Sequence, residues 1–194
     1  MNPLKSIPGT IILGFVLALA IALVVSGPGN AMSLIVWLHV FVGIIWIGLL
    51  YYFNFVQAPA VANAAADTDG PGAAGINKYV APRALLWFRW AAVATWLTGA
   101  SALEVAGWGF MNAFLLKPGF QMIGIGSWLG TIMLFNVWVL IWPNQKKILG
   151  IVKATPEEIV KAKVVALMTS RTNALLSIPM LMCMVGQGHG GLPL

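Results

Sequence analysis

Charged residues are what this sequence has least of. Asp, Glu, Lys and Arg make up 8% of its 194 residues, whereas 60% are hydrophobic. A soluble domain has about 25% charged and about 45–50% apolar residues, so the composition argues against a water-soluble fold. The abundant apolar surface also argues against disorder. The 11 basic residues are too few and too scattered to follow a phosphate backbone, which argues against nucleic-acid binding.

Cysteine is almost absent as well, since Cys183 is the single one in the sequence. One thiol excludes an internal disulfide, a CxxC zinc site and covalent haem attachment through CxxCH. What remains is a small multi-pass membrane protein in contact with the lipid bilayer. We expect residues 1–194 to form one membrane domain.

Apolar stretches long enough, or nearly long enough, to cross a bilayer define the predicted fold, because such a helix needs about 20 residues. With Lys5 ahead of it, the first stretch also has features of a signal peptide. We interpret it as a retained helix because no clear small-x-small cleavage site follows it. The predicted fold is an all-α bundle of about five transmembrane helices, roughly 10–26, 33–56, 84–107, 121–142 and 164–186.

Lysine and arginine predict the orientation of this bundle. Lys5 and the 57–83 and 143–163 loops share one side and carry most of the positive charge, whereas the other side has only Lys117. Because cytoplasmic loops carry the excess of Lys and Arg, the N-terminus is predicted to be cytoplasmic and the C-terminus outside.

Local signals predict where some helices begin and end. The 57–83 loop is rich in Ala, Gly, Pro and Asp and is predicted to be irregular. Pro143 is predicted to end the fourth span after Trp142. Thr155 followed by Pro156 and two acidic residues predicts a capped helix start that leads into the fifth span.

Ionisable side chains inside the spans are rare and are functional candidates, because hydrocarbon makes them costly. The topology places His39, Glu104 and His189 on the outer side. Two histidines on different helices suit axial ligation of haem b, with Met182 or Met184 as substitutes for His189. Two alternatives stay open: His39 bonds a neighbouring helix while His189 is solvated, or the three residues hold a metal ion.

A second group of polar residues, amides and arginines, lies towards the inner side. Arginine forks and amides that both donate and accept suit a planar, polar, anionic small molecule, and they suit haem propionates or a quinone head almost as well. Alternatively, the arginines only reach phosphates of the inner leaflet. The residues predicted to bind substrate are Asn54, Gln57, Arg89, Asn144, Gln145, Arg171 and Asn173.

Helical angles connect the two groups. At about 100° per residue, polar and small residues of the second span fall near one line, and the third span has a similar stripe. Outside these stripes, Asn136 is predicted to form an interhelical hydrogen bond. The two stripes are His39, Gly43, Trp46, Leu50 and Gln57 in the second span and Arg89, Trp96 and Glu104 in the third.

Four strings that contain these residues resemble the N-terminal membrane domain of bacterial membrane-bound urate oxidase (urate hydroxylase). They are WLHVFVGIIWIGLLYYFNFVQ, RALLWFRW, NVWVLIWPNQKK and SRTNALLSIPMLMCMVGQGHG. The resemblance covers roughly residues 33–190, and WPNQK and SRTNALLSIPML are its most specific parts. The LHxxxGxxWxG portion is more loosely similar to the membrane protoporphyrinogen oxidase family of haem b-binding helical bundles.

The resemblance implies an oxidoreductase of the bacterial inner membrane that handles a purine oxidation product. With haem b as the predicted cofactor, electrons would pass from a urate-like substrate to a cytochrome. In that family a c-type cytochrome domain usually follows the membrane part, whereas this sequence contains no CxxCH motif. Either a separate c-type cytochrome or a larger membrane complex is the partner that accepts the electrons, or this member of the family has lost or changed the reaction.

Two other functions stay open. One is a non-catalytic haem-binding or structural subunit of a larger respiratory or photosynthetic membrane complex. The other is a carrier or channel for a small anion, which would be favoured by discontinuous helices or an inverted repeat. The sequence shows neither of those two features.

Overall fold

The computed structural model describes residues 2–27 and 29–191, and every regular element in them is helical, as predicted. A short 3-10 helix, Pro3–Lys5, precedes the first α-helix. The α-helices are α1 (Ile7–Ser26), α2 (Ala31–Tyr52), α3 (Ala58–Ala66), α4 (Ala81–Val105), α5 (Phe110–Phe114), α6 (Gln121–Phe135), α7 (Trp142–Ile148) and α8 (Pro156–Gly188). The π-helical turns are π1 (Phe53–Gln57), π2 (Ile76–Val80) and π3 (Asn136–Ile141).

Four stretches of the described residues are long and apolar enough to cross a membrane: Ile7–Val25, Ala31–Ala66, Gln121–Ile148 and Pro156–Gly188. They correspond to the first, second, fourth and fifth predicted spans. The third predicted span forms α4, whose 25 residues are interrupted by arginines, threonines and tryptophans that lower its apolarity. Membrane crossing by α4 and the predicted orientation stay predictions.

Proline explains where the helices widen. The π-helical turns π1, π2 and π3 come directly before the Ala-Pro or Trp-Pro pairs at Pro59, Pro82 and Pro143. In each case the residue before the proline donates its N–H to the carbonyl five residues back. Proline lacks an N–H and clashes with the preceding turn of a regular α-helix, and a π-turn relieves both problems.

The prediction that Pro143 ends the fourth span is therefore wrong. The helix passes through π3 and continues as α7 to Ile148. The prediction of an irregular 57–83 loop is also wrong in part. Helices α3 and π2 occupy much of this segment, and only residues 67–73 are non-helical. Alanine is the strongest helix former and dominates α3, and Pro59 lies in its first turn, where proline is tolerated.

The helix start predicted at Thr155 is confirmed. The Thr155 hydroxyl accepts the N–H of Glu158 at 3.2 Å, and the Glu158 carboxylate accepts the N–H of Thr155 at 3.0 Å. This reciprocal capping box satisfies two backbone donors at the start of α8. Glu158 also forms an exposed ion pair with Lys147 of α7, which joins the two helices.

Helices α2, α4, α6 and α8, with their π-turns, form an up-down-up-down bundle. Contacts between neighbouring helices run in opposite chain directions, as antiparallel packing requires. Helix α1 lies outside the core and meets α2 through the ring of Phe15, which packs on Trp37 and Phe41. The defining pairs are His39 with Thr95, Phe53 with Phe88, Trp96 with Thr131, Arg89 with Trp138, Asn54 with Ser170, Tyr51 with Ser177, Asn136 with Asn173 and Ile123 with Gln187.

The main hydrophobic core fills the middle of this bundle. Trp46 and Leu50 of α2 meet Phe88 of α4 and Met133 of α6, and each of the four side chains is at most 2% exposed. Two residues of the predicted α2 stripe are thus confirmed as facing inward. A smaller cluster of Leu103, Ala113 and Ile123 closes one end of the bundle.

Candidate functional site

The antiparallel order places the predicted functional residues near opposite ends of the bundle. We call the end with His39, Glu104 and His189 the histidine end, and the end with π1, π3 and α7 the amide end. His39 of α2 and Asn54 of π1 are about 20 Å apart along the helix axis. The structure therefore keeps the two predicted groups separate.

At the histidine end, His39 is bound to α4. Its Nδ1–H donates to the carbonyl oxygen of Thr95 at 2.9 Å, and Nδ1 lies 3.3 Å from the Thr98 hydroxyl. Because a carbonyl only accepts, the proton must be on Nδ1, and Nε2 is left as the lone-pair nitrogen. The ring packs against Gly99, where a Cβ would lie 2.9 Å from Cε1. His39 thus bonds a neighbouring helix, as in the first alternative.

Glu104 and His189 are exposed, and each forms a hydrogen bond at the end of a helix. The Glu104 carboxylate accepts the N–H of Phe110 at 2.6 Å, at the start of α5. His189 caps α8, and its Nδ1 bonds the carbonyl of Val185 at 2.9 Å. Within residues 2–27 and 29–191, no three His, Cys, Asp or Glu side chains come together as a metal site, so the geometry does not support the metal alternative.

At the amide end, π1 carries two amides, of which Asn54 is buried and Gln57 is half-buried. Asn54 is 8% exposed and donates through Nδ2 to the Leu50 carbonyl and to the Ser170 hydroxyl, both at 2.8 Å. Its Oδ1 is buried and has no hydrogen-bond partner among the described residues. The same is true of Gln57 Oε1. Two acceptor oxygens in one π-turn are thus left without donors.

The hydrogen bonding of Asn173 differs from that of Asn54. It is 0% exposed, accepts Nδ2–H of Asn136 at 2.8 Å and donates to the Met133 carbonyl at 3.0 Å. The interhelical hydrogen bond predicted for Asn136 is confirmed. Both halves of the Asn173 amide are engaged by the protein, so in this structure it joins α6 and π3 to α8.

The side chain of Arg89 in α4 reaches α7. Its guanidinium carbon is 3.8 Å from the ring centroid of Trp142, a cation–π contact, and the Lys146 ammonium is 5.9 Å from the same ring. The carbonyl of Arg89 accepts Nε1–H of Trp138 at 3.2 Å. The arginine is therefore positioned by indoles of the helix that passes through π3.

The other predicted residues lie at the same end but do not join these contacts. Asn144 donates to the Leu140 carbonyl of its own helix at 2.8 Å, and Gln145 is half-buried. Arg171 is exposed on α8. The structure therefore does not bring Arg171 together with the amides of π1.

A known sequence family matches part of the chain. The model described as urate oxidase N-terminal covers residues 100–192. This segment, slightly less than half of the chain, is similar to that family. No curated protein and no solved structure matches the chain. The looser similarity to the membrane protoporphyrinogen oxidase family stays a prediction.

The segment that matches the urate oxidase N-terminal family supplies one wall of the amide end. It includes α6, π3, α7 and α8, and with them Ser170 and Asn173, whereas Asn54, Gln57 and Arg89 precede the matched residues. Sequence reasoning did not identify Ser170 as the partner of Asn54, because an isolated serine gives no signal. Its place inside the SRTN string of the matched segment was the available clue.

Proposed function

We propose that this membrane protein has a urate-oxidase-related function and binds urate, or a similar planar heterocycle, at the amide end. The single observation that carries the binding site is the pair of buried, unpartnered acceptor oxygens of Asn54 and Gln57 in π1. The family match to residues 100–192 supports the substrate class.

The chemistry of these oxygens favours a ligand rich in N–H groups. A buried acceptor without a donor costs about 1–3 kcal/mol, and a bound donor recovers that energy. Urate has N–H groups along the edges of a flat ring and suits amide acceptors. Single π-turns are also frequent at functional sites. In this proposal Asn54 and Gln57 orient the ring, while a cofactor carries the electron chemistry.

Replacing Gln57 with methionine tests the site. Gln57→Met removes an acceptor that has no partner in the structure and keeps the length of the side chain. We expect urate binding by the full chain in nanodiscs to weaken about tenfold, because one buried hydrogen bond to the ligand is worth about 1–3 kcal/mol. Equilibrium dialysis with labelled urate measures the dissociation constant. The midpoint of thermal unfolding without urate is expected to stay the same or rise.

Gln187→Met is the matched control at the opposite end of the bundle. The Gln187 amide accepts the N–H of Ile123 at 3.3 Å and donates to the Gly119 carbonyl at 3.4 Å. We expect this variant to lower the unfolding midpoint and to leave urate affinity unchanged. Wild-type urate affinity in folded Gln57→Met would show that the amide end is not the urate site.

We further propose haem b as the cofactor, held at the histidine end by His39. The supporting observation is the bond from Nδ1 to the Thr95 carbonyl. Metal-ligating histidines usually donate their second nitrogen to a carbonyl or carboxylate in this way, which fixes the ring and leaves Nε2 for the metal. His189, Met182 or Met184 would supply the second ligand. Haem would supply one-electron redox chemistry to this site.

A visible spectrum tests the haem proposal. The full chain, produced with haem precursors, is expected to show a Soret band and the reduced α-band of a b-type cytochrome. His39→Ala is expected to lose these bands. If His189 is the second ligand, His189→Ala shifts the spectrum, and if a methionine is, it does not. A folded but colourless wild-type preparation would rule out haem.

A c-type cytochrome is the proposed electron acceptor. Reduction of added cytochrome c by the purified chain in the presence of urate would support the catalytic role. If the chain binds haem but reduces no cytochrome c, and co-purifies with stoichiometric partner chains, the alternative role as a subunit of a larger membrane complex is favoured.

A further inference from the structure

A groove runs along the outside of the bundle between α4 and the helix formed by α6 and π3. Its volume is about 370 Å³, and its lining is apolar. The indole of Trp96 donates to the Thr131 hydroxyl at 2.9 Å, and that hydroxyl donates to the Ser127 carbonyl at 2.8 Å, so the polar atoms nearby are already paired. The lining residues are Val93, Trp96, Thr131, Leu134, Phe135 and Trp138.

The amide-end limit of this groove is positively charged. Val93 is one helical turn from Arg89 on α4, and Trp138 is about one turn before Trp142. The guanidinium of Arg89 and the ammonium of Lys146 both lie over the Trp142 ring. In the part of the chain that the structure describes, the one ion pair is Lys147 with Glu158, so neither cation has a carboxylate partner.

We propose that this groove binds an anionic phospholipid, with its phosphate at Arg89 and Lys146 and one acyl chain along the apolar lining. From Arg89 to Trp96 the helix rises about 10 Å, a distance that the upper part of an acyl chain covers. Basic pockets between transmembrane helices are known to hold anionic headgroups, and indole rings are typical of the same membrane depth. A small soluble anion would satisfy the cations but leave the groove empty.

Native mass spectrometry of the full chain in detergent tests the headgroup. The chain is incubated with dioleoyl phosphatidylglycerol or dioleoyl phosphatidylcholine, and the retained lipid is counted. We expect phosphatidylglycerol to be retained about tenfold more. Arg89→Gln is expected to reduce that preference about fivefold, since one basic side chain beside an anionic headgroup accounts for about that factor. The matched control is Arg83→Gln, an exposed arginine of the same helix, which should leave the preference unchanged.

A second variant tests the groove. Val93→Phe fills the lining while leaving Arg89 in place, and should weaken retention of dioleoyl phosphatidylglycerol without changing that of a short-chain, dihexanoyl form. If Arg89→Gln does not fold, Arg89→Lys replaces it and should keep most of the preference. Equal retention of the two headgroups, or full retention by Val93→Phe, would overturn the proposal.

Discussion

Replacing Asn173 with leucine is expected to destabilise the bundle by about 2–3 kcal/mol. Asn173 is 0% exposed, and its loss leaves Asn136 Nδ2 without its acceptor and removes one of the two N–H groups that the Met133 carbonyl accepts. Single interhelical hydrogen bonds in membrane proteins average about 0.6 kcal/mol, but here two bonds are lost together and a buried donor left unsatisfied costs about 1–3 kcal/mol more. Unfolding of the purified chain by SDS in mixed micelles measures the difference.

A double-mutant cycle separates this network from a general packing effect. Asn136→Leu combined with Asn173→Leu removes the amides of both partners, so we expect the double variant to lose clearly less stability than the sum of the single variants. Asn144→Leu is the matched control, because the Asn144 amide bonds only within its own helix. It should cost less than about 1 kcal/mol. Additive losses would show that the two asparagines are not coupled.

The Asn173→Leu variant also distinguishes a structural role of Asn173 from the substrate contact predicted for this residue. A structural role requires the loss of stability in the absence of any urate. If Asn173→Leu weakened urate binding while leaving the SDS unfolding unchanged, the residue would be a ligand contact and the hydrogen bonds to Asn136 and Met133 would be secondary.

Replacing Gly124 with alanine is expected to destabilise the histidine end by about 3 kcal/mol. A Cβ at Gly124 would overlap the Ala113 carbonyl oxygen, lie 2.6 Å from Leu116 Cδ2 and 3.0 Å from the Ala113 carbonyl carbon. Backbone cannot give way as a flexible side chain can, and overpacking of this kind costs typically about 1–3 kcal/mol and sometimes more. The turn after α5 has little freedom, because Leu116 already has a φ of 53°.

Gly130→Ala on the same helix is the control for this substitution. Gly130 is buried, but a Cβ there would meet nothing within 4 Å. Alanine favours helix over glycine by about 1 kcal/mol, so this variant should be neutral or stabilising. Hydrogen exchange over residues 110–116 measures whether α5 detaches in Gly124→Ala. Unchanged exchange and unchanged stability in that variant would contradict the close approach of α5 to α6.

The sequence predicted the fold class well because the relevant signals are local. An apolar stretch of sufficient length predicts a membrane-spanning helix, and Thr155 with Glu158 predicts a helix start from neighbouring residues alone. A lone amide such as Asn136 inside an apolar span predicts an interhelical bond because it has no other way to be satisfied. The family resemblance rested on short strings, and the match over residues 100–192 supports it.

The candidate site was predicted less well, because knowing which polar residues a site contains does not show which of them are hydrogen-bonded to each other. Polar residues near one end could be named from the sequence, but not which of them had already found a partner. The side-chain oxygens of Asn54 and Gln57 have no hydrogen-bond partner in the described part of the chain. The Asn173 amide is hydrogen-bonded to α6 and π3, and Arg171 is exposed. These outcomes depend on how far apart two helices lie and in which direction each side chain leaves its backbone.

By itself, therefore, the sequence determined that this is a helical membrane protein, where its main helices lie, and the two groups of polar residues near opposite ends. Only the tertiary structure decided which groups meet. The helical angles from His39 hold as far as Leu50, where the helix is regular, but not to Gln57, because π1 lies between them. A π-turn bonds five residues back and is wider than an α-turn, so it rotates every residue that follows. Whether an Ala-Pro or Trp-Pro pair ends a helix or widens it is settled by what packs around it.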